Sequence, residues 1–529
     1  MSVALALAQV KAQAQVKAQA QGQAREPGQS QALEQWLSHV EMTLQLPRSS
    51  IAVVLEPIAP AAIAPAAIAP AAIAQKPSSP SEGQASLPTG AQDRRPEQRF
   101  PGPAKLSTQH RSALYWQHRA DEPMNPASTI KLLTSFAALQ LLGPDFRWKT
   151  RWRAHSRPEE GVLKGHLIMQ GGGDPKLLIE DLRSMIAALR RAGLRDIQGD
   201  LLLDASLYAT EVSSAPPLDG DWQQPYNVAP LATEFNFRSF KLAWGGGQEP
   251  ALDPALAGLE LIDQVKKPKT ACKDASASFH FEGEGSLESR RLVIEGRWPT
   301  ACGRGERYIA YPDAIEFADR LFRAAWLEQG GTWNGRARRL DGASASAPIE
   351  LLDWTSSRNA LDVVTDVNKL SNNLLARHLW LQISAQEGSA ASVEASLEKL
   401  RAWLRRQHLT LPSIIIENGS GLSRIERISA RDMSQMLQFA QRQPIAATFQ
   451  ESLPVAGVDG TMKRRLTEPG FRGHLWLKTG SLNEVRALAG YIEARSGQRY
   501  SFCIMINHPR ASVARQSVDS LLRVIVATG

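Results

Sequence analysis

From Leu132 to Leu139 the chain is apolar apart from Thr134 and Ser135. A run apolar on nearly every side marks a core helix rather than a surface one. Its start is signalled by Asn125 as N-cap and Pro126 at the first helical position, and its stop by Gly143-Pro144. Upstream, Leu33, Trp36, Leu37, Val40 and Leu44 recur at helical spacing, and Ser50 to Leu55 reads as a buried strand. The strand pattern resumes at Ser112 to Trp116, which is expected to pair with that strand. Between Arg151 and Ile349 the texture changes to short strands and glycine-rich turns: strands at 165–170, 199–204 and 292–298, a turn at Gly171-Gly172-Gly173-Asp174-Pro175, a helix at 185–192. Helices return around Leu361–Val364 and Leu374–Trp380, broken at Lys369-Leu370-Ser371-Asn372-Asn373. Last come a strand at His474–Lys478, a hairpin of Val485–Glu493 with Tyr500–Ile506 around Ser496-Gly497, and a helix at 513–526. The predicted class is α/β of the α+β kind: an antiparallel sheet built from both chain ends, packed by the terminal helices, with a helical half that carries Ser128.

Length and composition divide this picture into parts. A chain of 529 residues with 43% apolar side chains holds more than one structural unit. Residues 1–31, with repeated Val-Lys-Ala-Gln, read as a disordered leader or the remnant of an export signal; the apolar Val3–Ala8 lacks a basic segment before it. Residues 57–109 carry Ile-Ala-Pro-Ala-Ala three times from Ile58, and prolines at that density exclude a helix, so this is an extended insertion. The expected division is a catalytic domain from 32–150 and 350–529, with an inserted domain at 151–349. The net charge of +8 is spread without a basic block, which argues against a nucleic-acid partner and fits an anionic polymer or, at most, peripheral contact with a membrane surface. Cys272 and Cys302 flank one segment and could close a disulfide, whereas Cys503 reads as a small buried hydrophobe. No cysteine or histidine spacing points to a metal, and no cofactor is expected.

Candidate chemistry begins with Ser128 and Lys131, three apart and therefore on one helix face. A lysine forced into a core loses affinity for its proton and can then accept one from a neighbouring hydroxyl. The pair alone is weak, since Ser396-Leu397-Glu398-Lys399 repeats it on what reads as a charged helix face. Ser371-Asn372-Asn373 and Lys478-Thr479-Gly480 complete an ordered set. Ser357-Arg358-Asn359 also fits the middle pattern, but it reads as a polar linker, whereas Ser371 sits at a helix break and Lys478 at a strand end. The set Ser-x-x-Lys, Ser-x-Asn, Lys-Thr-Gly serves acyl transfer in penicillin-binding proteins and β-lactamases. Ser128 would attack with Lys131 as base and Ser371 would relay a proton to the leaving amine. Asn373 would hold the substrate amide and Lys131. Lys478 would keep Lys131 deprotonated and draw in a carboxylate that Thr479 binds, and the amides of Ser128 and Ser481 would hold the oxyanion.

Longer stretches resemble one family, the class C low-molecular-mass penicillin-binding proteins. They are Pro123 to Ser128, Gly173-Asp174-Pro175, Ser371 to Leu374, Gly419 to Arg424, Leu453 to Gly460 and Lys478 to Leu482. The resemblance implies a DD-peptidase/β-lactamase-like domain with a large insert between the first two motifs. It further implies D-Ala-D-Ala carboxypeptidase and endopeptidase action on peptidoglycan stem peptides, covalent inhibition by β-lactams at Ser128, export to the periplasm, and no metal. Two departures stand out: Asn418 where the family usually has Asp, and the proline-rich insertion. The rival readings are a β-lactamase, against which counts the lack of a class A glutamate base, and a catalytically silent cell-wall binding protein, against which count the three intact motifs.

Overall fold

The computed structural model describes residues 27–59, 113–214, 216–283, 289–340, 347–385 and 389–529. By contacts the chain separates into Met1–Ile58 with Leu114–Gly529, and Ala59–Ala113. Of the leader expected over 1–31, residues 1–26 lie outside the described residues, whereas 27–31 already belong to the helix Pro27–Leu44. Of the proline-rich insertion expected over 57–109, Pro57 ends a strand and residues 60–109 lie outside the described residues.

Both ends of the chain meet in one antiparallel sheet. Its strands are β1 (Ile51–Pro57), β2 (Trp116–His118), β3 (Leu475–Leu482), β4 (Val485–Glu493) and β5 (Arg499–Asn507), in the order β3-β4-β5-β1-β2. Leu55 lies opposite Trp116 and Val54 opposite Cys503. The expected pairing across the insertion is therefore present over Trp116–His118, and Ser112 lies outside the described residues. The middle stretches of the central strands, 51–55, 487–492 and 502–506, carry no polar side chain apart from the Tyr491 hydroxyl, because both faces are covered. Ala487, Ala489, Tyr491, Cys503 and Met505 pack into the helical half. On the other side lie the terminal helices Pro27–Leu44 and Arg515–Thr528, joined where the Trp36 indole donates to the Ser517 carbonyl at 2.8 Å.

The helical half is built around the apolar run. Lys131–Leu141 is the α-helix, and every residue from Lys131 to Leu139 is buried. Burying Leu132, Leu133, Phe136 and Leu139 stabilises the fold by about 2 kcal/mol each. Phe136 fixes the helix by meeting Trp403, Phe439 and Phe449 edge to face, with centroids 5.8, 6.0 and 5.9 Å away. The entry to this helix differs from expectation. Ala127–Ile130 form a 3-10 turn, and Asn125 closes a tight turn by accepting the Ala127 amide at 2.9 Å instead of capping an α-helix. Two other expectations change. Ser357 lies in the strand Ile349–Asn359, not in a linker, and Ser396 is fully buried, 2.8 Å from Ser384 Oγ, not on a charged face.

The segment between the first two motifs has its own core, with Trp152, Leu182, Leu201, Phe240, Leu292, Phe322 and Trp326 all buried within one cluster. Strand Arg147–Ala154 shows the reason: its even positions, Trp148 to Ala154, turn inward and its odd ones outward. That strand pairs with Ile349–Asn359, so the segment enters and leaves side by side. A disulfide joins Cys272 to Cys302, 30 residues apart, while Cys503 is buried and free. No helix among the described residues is long and apolar enough to cross a membrane.

Closing a loop of that length removes chain entropy from the unfolded state worth about 3–4 kcal/mol. The double replacement Cys272→Ala with Cys302→Ala is expected to lower the midpoint of denaturant unfolding of this segment, followed by its tryptophan fluorescence. An unchanged midpoint would refute a stabilising role for the bond.

Candidate active site

Ser128 is the one residue between Met124 and Leu139 that is not buried. It is set by a strained approach: Ala127 has φ +43°, a left-handed conformation unusual for a residue with a side chain. The strain is held by neighbours on every side. Asn125 Nδ2 donates to the Ser423 carbonyl at 2.9 Å, the Asn125 amide donates to Asn507 Oδ1 at 2.8 Å, and Thr129 Oγ1 donates to the Pro126 carbonyl at 2.7 Å.

Lys131 lies one turn on, with no exposure. Its Nζ is 2.9 Å from Ser128 Oγ and 2.7 Å from Asn373 Oδ1, and it also bonds to the Ser420 carbonyl. Asn373 begins the helix Asn373–Ala385, and its Nδ2 donates to the Tyr226 carbonyl at 3.3 Å, which orients the amide with its oxygen toward Lys131. The break before this helix is Ser371, in the left-handed region at φ 60°. Ser371 Oγ accepts from Lys478 Nζ at 2.7 Å, and the same amine donates to the Thr479 carbonyl at 2.9 Å. Lys478 is buried too. It sits within β3, not at its end, opposite Ala489.

The edge strand β3 passes against the turn that carries Ser128. A Cβ on Gly480 would lie 2.7 Å from the Pro126 carbonyl and 3.2 Å from the Ser128 amide, so a bare backbone is required there. Ser481 follows, exposed, and Thr479 Oγ1 is 2.9 Å from Thr461 Oγ1. All eight residues singled out from the sequence thus gather along one line: Ser128, Lys131 and Asn373 joined directly, Ser371 joined to Lys478, and Thr479, Gly480 and Ser481 on the strand beside them.

The loop 417–426, of which Gly419 to Arg424 carry part of the family resemblance, closes the site from behind. Thr134 Oγ1 donates to the Gly419 carbonyl at 2.6 Å, and the Ser420 carbonyl meets Lys131. Asn418 folds the loop with its side chain, accepting the Ser420 amide at 2.9 Å and Ser420 Oγ at 2.6 Å. The contact to Lys131 uses a backbone carbonyl, which leaves no residue-type signal. The glycines around it were the available sign. Two charges also went unnoticed, the buried Glu426 and the half-buried Arg377.

Burial drives Lys131 well below the ordinary lysine value of 10.5; Lys478 lowers it further, Glu426 raises it and Arg377 lowers it. Burial likewise brings Lys478 down to about 7. The result is a hydroxyl bonded to a poorly solvated amine, the arrangement of a nucleophile with its base, as serine hydrolases of the Ser-x-x-Lys type possess. Residues 87–525 match the D-Ala-D-Ala carboxypeptidase 3 (S13) family, and the chain belongs to it. It is thereby a serine-type D-Ala-D-Ala carboxypeptidase and a low-molecular-mass penicillin-binding protein.

Among relatives, a D-alanyl-D-alanine carboxypeptidase of Actinomadura sp. strain R39 is 27% identical over 423 residues, covering 77% of each chain. The D-alanyl-D-alanine carboxypeptidase DacB of Haemophilus influenzae is 24% identical over 393 residues, covering 73% of this chain and 80% of its own. The crystal structure of penicillin binding protein 4 from Haemophilus influenzae matches with a TM-score of 0.66 at 24% identity, covering 78% of this chain and 93% of that one. The DD-peptidase/β-lactamase-like fold expected from sequence is therefore present.

Two predictions follow from this packing and charge. Gly421 has φ +83°, and a Cβ there would lie 2.1 Å from the Ala127 carbonyl oxygen and 2.7 Å from the Ser128 amide. Gly421→Ala should displace the nucleophile's turn and lower D-Ala release by about 100-fold or more, the usual scale for a misplacement near 1 Å; wild-type turnover would refute it. The lysines set a pH dependence. Their folded affinities lie below the unfolded 10.5, so their contribution is full above that pH and falls as pH drops, for Lys478 until about 7. The Lys478→Met variant should accordingly show a shallower loss of stability between pH 10 and 7 in urea titrations than wild type; parallel curves would contradict this.

Proposed function

We propose that the protein cleaves the terminal D-Ala from peptidoglycan stem peptides through an acyl-enzyme on Ser128, and that it also cuts cross-links between D-Ala and a diamino acid. The observation that carries this reading is the set of partners around Lys131 Nζ. Asn373 Oδ1 and the Ser420 carbonyl can only accept hydrogen bonds. A neutral amine has two hydrogens for these two acceptors, which leaves its lone pair for the third partner, the Ser128 hydroxyl at 2.9 Å. The amine's lowered proton affinity favours that neutral form.

In this mechanism Ser128 Oγ attacks the carbonyl carbon of the penultimate D-Ala while its proton passes to Lys131. The amides of Ser128 and Ser481 hold the oxyanion, each donor worth about 2.7–4 kcal/mol in such sites. The C–N bond breaks, and the leaving amine takes a proton through Ser371, which Lys478 holds. Water then hydrolyses the ester. Asn373 positions the substrate amide, and Thr479, with the charge of Lys478 behind it, takes the terminal carboxylate. The segment 151–349 acts as an inserted domain between the two parts, 32–150 and 350–529, of the catalytic domain. Export to the periplasm, contact with peptidoglycan and covalent capture by β-lactams complete the proposal; support comes from the family and from the Haemophilus influenzae protein, whose structure was also solved complexed with a β-lactam.

Labelled penicillin tests it. A long-lived adduct is expected on the wild type and none on Ser128→Ala, with D-Ala release from a pentapeptide reduced on the order of 10^4- to 10^6-fold. Because the base must be neutral, the acylation rate should rise with pH and level off well below 10.5. Rapid turnover of the adduct would instead mark a β-lactamase, and no adduct with no D-Ala release would defeat both readings.

A further inference from the structure

Behind Lys131 lies an acid that no motif contains. Glu426 is fully buried, at the end of the loop whose Ser420 carbonyl meets Lys131. Its Oε1 accepts three consecutive backbone amides, Glu417 at 3.3 Å, Asn418 at 2.9 Å and Gly419 at 2.7 Å. Its Oε2 is buried with no hydrogen-bond partner. Burial raises the proton affinity of this carboxyl, while the three amides and Lys131 favour its charged form, and the bare oxygen has no direct contact that would neutralise the charge. The amide side chain of Asn418, bonded to Ser420 and to the Leu422 carbonyl at 3.0 Å, carries no charge into this loop.

We propose that Glu426 is a positioning residue for the acylation step: it fixes the loop that presents Ser420 to Lys131 and supplies the negative charge that steadies the ammonium formed there when Ser128 gives up its proton. The inference rests on the reading of Ser128 and Lys131 as nucleophile and base. Its logic is that of an acid behind a catalytic base, which makes proton acceptance easier without itself taking the proton. The groups that face this acid are Lys131 from the Ser128 helix and Arg377 from the helix Asn373–Ala385; on its own loop the Arg424 side chain turns to the Asn483 carbonyl and that of Arg427 to the Arg424 and Glu426 carbonyls. Lys478 acts on Lys131 from β3. Glu426 raises the proton affinity of Lys131, against the lowering by Lys478 and Arg377. Arg377 donates to the Val228 carbonyl at 3.0 Å and makes no hydrogen bond to Glu426 Oε2, while the charge of Glu426 raises the proton affinity of Arg377 across the gap.

The test titrates Lys131 directly. Protein labelled with 13C at lysine Cε, with the Lys131 signal assigned by its loss in Lys131→Arg, is followed by NMR across pH in wild type, Glu426→Gln and Glu426→Asp. The same proteins are acylated with labelled penicillin to separate the acylation rate constant from the noncovalent dissociation constant. Glu426→Gln keeps an acceptor for the amides but removes the charge. The Lys131 midpoint should fall, and the acylation rate constant should drop about tenfold or more while the dissociation constant holds. Glu426→Asp should restore the midpoint. A midpoint unmoved in Glu426→Gln overturns the proposal. If that variant does not fold, the 13C-labelled carboxyl of Glu426 in the wild type decides: ionised at pH 7 upholds the proposal, protonated overturns it. A wild type that penicillin never acylates and that releases no D-Ala would defeat the peptidase reading, while the Lys131 titration would still judge the electrostatic part of Glu426.

Discussion

The site depends on an amine held where water does not reach. An unscreened ammonium in a core is costly, and a lysine so placed yields its proton instead. Lys131 has no exposure, yet each direction of its nitrogen is filled: the nucleophile, Asn373 and the Ser420 carbonyl. Those partners come from three separate parts of the chain, so the base exists only once the fold is complete. A second buried amine, Lys478, repeats the device on the other side of the cleft, with Ser371 as its partner.

The fold supplies this through rigid elements. The Ser128 helix is locked by Phe136 among Trp403, Phe439 and Phe449, so its first turn cannot swing. Against that turn run two backbones without side chains in the way, Gly480 on the edge strand and Gly421 on the loop. β3 can approach because it is the sheet's edge strand: its outer side bonds to Pro454 and Ala456 at Leu477 and Leu475, and beyond them, toward Leu482, an edge strand has backbone groups to offer. Such groups suit a substrate peptide or an oxyanion equally. The inner face of β4 and β5 fills the space beneath with Ala487, Ala489, Cys503 and Met505, small or adaptable side chains that let the helical half sit close.

Much of this was legible in the sequence because the chemistry is concentrated in short local patterns. Ser128 with Lys131, Ser371 with Asn373 and Lys478 to Ser481 each announce themselves by spacing, and the apolar periodicity placed the sheet and its covering helices. What stayed hidden depends on three-dimensional surroundings. The decoy Ser396 was judged to be surface from its charged neighbours, but it faces inward to Ser384. The 3-10 turn at Ala127–Ile130 reads as helix because Asn-Pro suits both starts. Lys478 sits in mid-strand since β3 runs on past the motif to Leu482. The Ser420 carbonyl belongs to the backbone, which every residue has. Glu426 lies between Ile425 and Arg427 in a stretch that looks like solvated surface, and only the fold turns its carboxylate onto the amides of residues 417–419.

These placements run against stability. At neutral pH the unfolded chain binds protons on both lysines that the folded chain resists, so folding carries a cost from the same feature that makes the base reactive. The buried acid Glu426 has the opposite sign of charge and the same problem, since burial raises its proton affinity against the pull of three amides and Lys131. Placing such an acid in reach of Lys131 eases the cost when that amine is charged, without exposing it to water. Too close a contact would make a tight ion pair and restore the lysine's ordinary proton affinity, which would disable the base. The geometry resolves this by spending Glu426 Oε1 on the backbone and setting the Ser420 carbonyl, a neutral acceptor, against the amine itself. On the proposed reading the charge then acts at one remove, leaving burial to hold the proton affinity of Lys131 down while easing the arrival of the proton.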